Sequence, residues 1–208
     1  MSDLNKDFLE KLEKALTDGL SSFRIEASSG QIKQSLDFLS ILQKWNKSFN
    51  LVSTQNVCEM LSRHLLDSLS INSYLQGIHI VDVGSGAGFP GIPLAIFNPG
   101  KQFTLIDANG KKTRFLFQVK LTLDLPLIQI RNCRVEHYQT DRQIDMVVTR
   151  AVSNVAELVG KICHLVSKDC RLLFMRGIAS EEDFSSLPKG FEVVNVDELE
   201  ITDRKRHI

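Results

Sequence analysis

The first seventy residues place apolar side chains at helical spacing. Leu4, Phe8, Leu12 and Leu16 make one stripe, Ile32, Leu36, Leu39 and Leu42 a second, and Val57, Leu61, Leu65 and Leu69 a third. Recurrence at that spacing puts each set on one helical face, so three amphipathic helices are expected. The serines and glycines from Gly19 to Gly30 read as a turn between the first two, and Asn46 to Thr54 as a break before the third. Residues 1–76 are therefore predicted to form an all-helical cap.

From Ile78 onward the pattern changes to short apolar runs bounded by turn residues: Ile78 to Val83, Phe103 to Ile106, Leu127 to Ile130, Ile144 to Val148, Leu172 to Met175 and Phe191 to Val196. Stretches long enough for helices, such as Lys111 to Leu123 and Val155 to Val166, separate most of them. Strands alternating with helices imply a parallel sheet covered on both faces, so residues 77–208 are expected to be a doubly wound α/β body, compact with the cap. Ligands in such sheets bind beyond the C-terminal strand ends, near the switch in strand order. A strand-like run begins at Leu199 and stops in Asp203-Arg204-Lys205-Arg206-His207-Ile208. A sheet of this kind is expected to finish with a further strand, so the chain reads as shortened.

Composition narrows the class. With 208 residues, 43% of them hydrophobic, the chain can bury a sizeable core. No run approaches the roughly 18 apolar residues of a membrane span, and the acidic, interrupted start Met1-Ser2-Asp3-Leu4-Asn5-Lys6-Asp7 lacks a secretory pattern, so a cytoplasmic protein without membrane attachment is expected. Cys58, Cys133, Cys163 and Cys170 show no CxxC pair and no zinc-like spacing with His, which favours buried thiols over disulfides or a metal site. Twenty-five basic residues against 25 acidic ones give zero net charge, which argues against a protein that coats nucleic acid.

The strongest chemical signal is Val81-Asp82-Val83-Gly84-Ser85-Gly86-Ala87-Gly88-Phe89-Pro90-Gly91, between the first body strand and an apolar helix. Its glycines let the backbone turn sharply and approach a ligand closely. A dinucleotide fingerprint needs its third glycine at position 89, where Phe89 stands, and a phosphate-binding P-loop needs a Gly-Lys-Ser/Thr ending that is absent. Asp-x-Gly-x-Gly-x-Gly instead looks like the S-adenosylmethionine loop of Rossmann-like class I methyltransferases. Asp107, 23 residues after Gly84 at the end of the second strand, suits both hydroxyls of an adenosyl ribose. Asp82 has two readings, holding the loop or receiving the cofactor's ammonium group.

With these residues in place, the chain resembles the bacterial 16S ribosomal RNA guanine-N7 methyltransferase G family, also called glucose-inhibited division protein B. The resemblance is carried by Trp45-Asn46-Lys47-Ser48-Phe49-Asn50-Leu51, Arg63-His64-Leu65-Leu66-Asp67-Ser68-Leu69, Asp82 to Pro93, Asn109 to Leu116, Arg134-Val135-Glu136 and Thr149-Arg150-Ala151. It implies methyl transfer from S-adenosylmethionine to N7 of one guanosine, with 16S RNA or the 30S subunit as partner and no metal. By family pattern Gly84, Phe89, Val135, Glu136 and Arg150 fall at cofactor-contacting positions, to which the physical reading adds Gly86 and Asp107. Thr149 stands where relatives have Ser, and Arg176 where they have Lys, which keeps the charge but alters donor geometry. The family's strand after Arg206-His207 is missing here except for Ile208.

No residue is assigned as a catalytic acid or base; Arg150, His64 and Asp67 are positioning candidates. Arg150 could meet cofactor, phosphate or a neighbouring carboxylate, and His64 and Asp67 could face substrate or tie the cap to the sheet. Trp45 reads as core more readily than as a base-stacking platform. The charges are also polarised: residues 101–134 hold seven basic and two acidic side chains, a net of +5, and residues 181–200 one basic and seven acidic, a net of −6. Lys111, Lys112, Arg114 and Arg63 are the expected RNA contacts. Two other functions stay open at this point, methyl transfer to another substrate and a non-catalytic role in ribosome assembly.

Overall fold

A computed structural model describes residues 6–150, 154–177, 186–201 and 204–208. Of the residues named above, Met1, Ser2, Asp3, Leu4, Asn5, Ala151, the acidic positions 181–183 and Asp203 lie outside this set. The cap is built from α1 (Lys6–Ser22), α2 (Ser29–Phe49) and a helical run over 57–69 made of α3 (Val57–Met60), a π-helical turn (Leu61–Leu66) and α4 (Asp67–Leu69). The π turn answers to the spacing of Val57, Leu61, Leu65 and Leu69. Steps of four overshoot an α-helical turn, and widening the helix keeps all four buried on one side.

Two cap boundaries differ from expectation. α1 runs through Gly19, which is a packing residue and not a turn: a Cβ there would come within 2.5 Å of Leu66 Cδ1. α2 starts in a capping box, Ser28 Oγ accepting the Gln31 amide and Gln31 Oε1 the Ser28 amide, and extends through Asn46 to Phe49. Asn46 is fully buried inside the helix and stitches the following loop to it, donating to Thr54 O at 2.8 Å and accepting from the Val52 amide at 2.9 Å.

The body alternates β1 (His79–Val83), α5 (Gly91–Phe97), β2 (Gln102–Ile106), α6 (Gly110–Thr122), β3 (Ile128–Arg131), β4 (Met146–Arg150), α7 (Val155–Ile162) and β5 (Arg171–Met175). The five strands form one parallel sheet in the order β3-β2-β1-β4-β5, so the order reverses between β1 and β4. Side chains alternate between its faces: Ile80, Leu105 and Val148 join the core shared with the cap, α5 and α6, while Val81, Ile106 and Val147 join a second core with Tyr138 and Ile162.

β4 starts two residues later than the apolar run because Asp145 turns aside to accept the Ile78 and His79 amides at 2.7 and 2.9 Å. It ends later because Thr149 donates to Val83 O at 2.9 Å and keeps the polar Thr-Arg tip in the ladder. α7 stops at Ile162, where the Leu165 amide closes a turn onto Ile162 O. The strand expected over 191–196 does not form, and Val193, Val194 and Val196 are exposed. Pairing falls instead to an antiparallel hairpin, β6 (Glu198–Ile201) with β7 (Arg204–His207), which forms a separate two-stranded sheet where a further strand of the main sheet was expected. The four thiols are free, but none is buried as expected: Cys58 and Cys163 are exposed and Cys133 and Cys170 half-buried. Among the described residues no helix is long and apolar enough to cross a membrane.

Asn46→Ala removes the buried side chain that satisfies the part-buried Val52 amide and Thr54 carbonyl, so it should destabilise the fold by about 1–3 kcal/mol. Chemical denaturation of the variant beside the wild type measures this.

Candidate functional site

The site lies at the C-terminal strand ends, where the order switches. β1 feeds residues 84–90, and the Gly84 and Ser85 amides donate to Ile106 O at 2.8 and 3.1 Å, pulling the loop onto the neighbouring strand. Gly84, Gly86 and Gly88 all have positive φ. At Gly88 this is matched by crowding, since a Cβ would meet Ile92 Cγ1 at 2.6 Å and Leu116 Cδ2 at 3.0 Å. At Gly84 a Cβ would meet nothing within 4 Å, so the loop is open on its ligand side.

Two carboxylates hold the loop. Asp107, just past β2, accepts the Gly86 amide on Oδ2 at 2.9 Å and the Asn109 amide on Oδ1 at 2.7 Å. It therefore shapes the loop as well as offering its remaining lone pairs to ribose hydroxyls. Asp82 is fully buried in β1, and its Oδ2 accepts the Gly91 amide at 2.9 Å. Burial pushes its carboxyl up to about 7, opposed by the Gly91 and Ser85 hydrogen bonds and by the charge of Arg150. Asp82 Oδ1 has no hydrogen-bond partner among the described residues.

The third group joins cap to sheet. Arg150, last in β4, places Nη1 3.2 Å from Asp67 Oδ2, 3.2 Å from His64 Nδ1 and 3.4 Å from Arg63 O, all on the π-helical run or its end. The pair is largely withdrawn from water, with side-chain exposures of 16% for Arg150 and 5% for Asp67. The guanidinium carbon sits 5.1 Å above the Phe89 ring, and the His64 ring centroid is 5.1 Å from the same ring. Phe89 is 2% exposed and packs on Phe38 at 5.3 Å, so its ring belongs to the core and its backbone to the loop.

The remaining candidates divide. Val135 and Glu136 open the 3-10 turn after β3, Val135 buried and Glu136 exposed. Asn109 caps α6 by accepting the Lys111 and Lys112 amides at 2.9 and 3.5 Å, which fixes the basic end of that helix beside the loop. Lys111 is exposed; Lys112 reaches inward, its Nζ 3.9 Å from where a Gly86 Cβ would stand. Arg114 is exposed and donates Nε to Gly110 O at 3.0 Å. Arg63 contributes its carbonyl to Arg150, while its guanidinium pairs with Glu59 at 3.3 Å along the helix. Sequence reading missed Phe38 and Phe115 as the rings behind Phe89; their only signal was helical periodicity shared with the rest of the core.

An open glycine loop, a carboxylate past β2 and an unmatched buried carboxylate oxygen in β1, just before the loop, together fit an adenosyl group bearing an ammonium. With the β3-β2-β1-β4-β5 parallel order, they define a Rossmann-like class I methyltransferase. The model of the family described as rRNA small subunit methyltransferase G matches residues 31–208, and the chain belongs to that family. It is 43% identical to ribosomal RNA small subunit methyltransferase G of Nitrosococcus oceani, over 94% of this chain and 92% of that protein. It is 40% identical to the protein of the same name in Shewanella halifaxensis, over 95% and 96%. Among solved structures, magnesium protoporphyrin IX methyltransferase from Synechocystis PCC 6803 with bound S-adenosylmethionine is similar with a TM-score of 0.59 and 15% identity, covering 82% of this chain and 94% of that one. Coclaurine N-methyltransferase is similar with a TM-score of 0.57 and 16% identity, covering 93% and 73%. These last two likenesses speak to the fold alone.

The raised carboxyl of Asp82 sets a pH dependence. Its folded value of about 7 lies above the ordinary 3.8, so the folded protein holds the proton more tightly and the stabilisation is complete at low pH. It is lost as pH rises from about 4 through about 7. Asp82→Asn, which carries no titrating proton, should show a flatter stability curve over that window, read from unfolding midpoints at several pH values.

Proposed function

We propose that this chain transfers the methyl group of S-adenosylmethionine to N7 of one guanosine in 16S ribosomal RNA, as naked RNA or within the 30S subunit, in the cytoplasm. The observation that carries the reading is the adjacency of the open glycine loop to a basic helix end. α6 begins Gly110-Lys111-Lys112-Thr113-Arg114 and holds four cations and no carboxylate through Thr122. Phosphates drawn to that end would lie beside the loop, which reconciles zero net charge with an RNA substrate. The relatives' names support the RNA, and the resemblance supports N7.

S-adenosylmethionine supplies an electrophilic methyl group when bound. Guanine N7 is unprotonated at neutral pH and its lone pair is available, so the chain need not remove a proton before the N–C bond forms and the S–C bond breaks. Its residues act by position. Asp107 and the Gly84–Gly88 backbone hold the donor's adenosyl end, Asp82 Oδ1 offers an acceptor for its ammonium, and Val135 and Glu136 border the adenine. Arg150 is kept at the tip of β4 by Asp67 and His64, where its charge bears on the cofactor end of the cleft. Orientation of this kind supplies about 7–11 kcal/mol toward a transfer barrier. The positive charge that passes to the purine ring also favours a site whose buried Asp82 takes on negative charge near neutral pH.

Tritiated methyl transfer to unmethylated 16S RNA, 30S particles and free nucleosides tests the reading. Label is expected in one or both RNA substrates, as 7-methylguanosine on digestion; label in neither overturns it. Arg150→Ala and Asp107→Ala should each lower kcat/KM by roughly 100-fold or more, with Asp107→Ala also losing S-adenosylmethionine affinity in calorimetry. Full methylation by Asp107→Ala would remove that residue from the cofactor site.

A further inference from the structure

We propose that the half-exposed ring of Phe49, backed by Trp45, is a stacking platform for an unpaired base of the RNA substrate beside the cofactor loop; this rests on the RNA reading above. α2 and α6 run antiparallel. Gln34 near the start of α2 donates to Leu123 O at the end of α6, at 2.8 Å, and further along Trp45 meets Phe115 with ring centroids 5.7 Å apart. Phe49 is one turn beyond Trp45, toward the α6 end that carries Lys111 and Lys112.

The rings form a chain from the core outward. Phe89 packs on Phe38 at 5.3 Å, Phe38 on Phe115 at 6.4 Å, Phe115 on Trp45 at 5.7 Å and Trp45 on Phe49 at 5.2 Å, with 32° between the last two planes. Phe38, Phe89 and Phe115 are buried and Trp45 half-buried, whereas Phe49 is 44% exposed. Its backbone is fixed nonetheless. Asn50 takes the left-handed cap conformation at φ 49° and returns its amide to Asn46 O, and the Asn46 side chain pins the loop that follows. The helix therefore holds an apolar ring in water at a rigid position, supported from behind by another ring.

The surroundings select the occupant. Between Phe38 and Cys58 the chain has Lys44 and Lys47 and no acidic residue, and the end of α6 toward Phe49 adds Lys111, Lys112 and Arg114, with no acidic residue in the helix. A bare aromatic face among cations is the chemistry of single-stranded RNA recognition, in which a base stacks on the ring and its phosphates meet the cations. A basic or purely apolar protein surface would leave these charges unanswered.

Full-length Phe49→Ala, Phe49→Trp and Phe117→Ala, assayed on unmethylated 16S RNA, test the platform; Phe117 is an equally exposed ring, 48%, on the outer face of α6. Phe49→Ala should raise the RNA KM roughly 10- to 100-fold while kcat, S-adenosylmethionine affinity and Tm stay near wild type. Phe49→Trp should restore the KM, and Phe117→Ala should keep it. With the wild-type protein, an RNA carrying 2-aminopurine next to the target guanosine should be quenched on binding, a readout independent of how any variant folds. A wild-type KM in Phe49→Ala, failure of Trp to rescue, an equal rise in Phe117→Ala, or absence of quenching at every flanking position overturns the platform. If the wild-type protein labels no RNA at all, it is the RNA reading that falls.

Discussion

The contact of Arg150 with Asp67 is the constraint on which the rest depends. Apolar burial alone would hold the cap against the sheet, but it would not fix the register of the two at the strand tips, where the chemistry lies. One guanidinium does so by meeting a carboxylate, an imidazole and a main-chain carbonyl from the same helical run. Because the carboxylate is nearly out of water, removal of either partner strands a charge, at a cost of about 3–5 kcal/mol. The π turn belongs to this arrangement. By widening the helix it keeps Leu61 and Leu65 in the core, and from the same turn the Arg63 carbonyl accepts from Arg150 at the tip of β4.

From that anchor a line of charges runs through the site. Asp67 neutralises Arg150, Arg150 lies within range of Asp82, and Asp82 feels Asp107 across the glycine loop. Two carboxylates bracket one short loop, each gripping a backbone amide, and they can coexist because they differ in burial. Asp107 is half-buried just past β2, while burial raises the Asp82 carboxyl so that it gives up its charge readily. The loop is thus held at Gly86 and Gly91 by hydrogen bonds that leave the face at Gly84 open. A ligand that brings a positive group to Asp82 Oδ1 would convert its burial from a penalty into an interaction.

The doubly wound body was legible because its signals are local. Apolar runs, helical stripes and the Gly84–Gly88 loop each declare themselves within a dozen residues, and Asp107 follows from the loop by spacing. What escaped reading depends on contacts far apart in sequence. Gly19 reads as a turn until Leu66 is seen to occupy the space of its Cβ, and Asn46 reads as a helix end until its amide is seen to serve the next loop. The run 191–196 has strand composition, yet pairing went to 198–201 because Asp197 and Ile208 close a hairpin by reciprocal hydrogen bonds at 3.0 Å. His64 and Asp67 were legible as a pair on one helix and Arg150 as a candidate for a carboxylate partner, but more than 80 positions separate them, and only the fold makes them one cluster.

The acceptor proposed above, guanine N7, needs no proton removed, so the demand on this site is alignment. The group at the loop whose titration burial shifts is Asp82, a carboxyl held in β1 with one oxygen on the Gly91 amide. The burden passes to geometry, and geometry is what the polar contacts secure. Asp107 and Asp82 set the loop, Asp67 and His64 set Arg150, and Asn109 sets the basic end of α6. Each acts through a hydrogen bond to a backbone group or to another side chain, so its removal would displace the reacting atoms without deleting any chemical step. In a reaction limited by alignment, displacement by even a fraction of an ångström is costly, which is why so many polar bonds converge on elements that touch no proton.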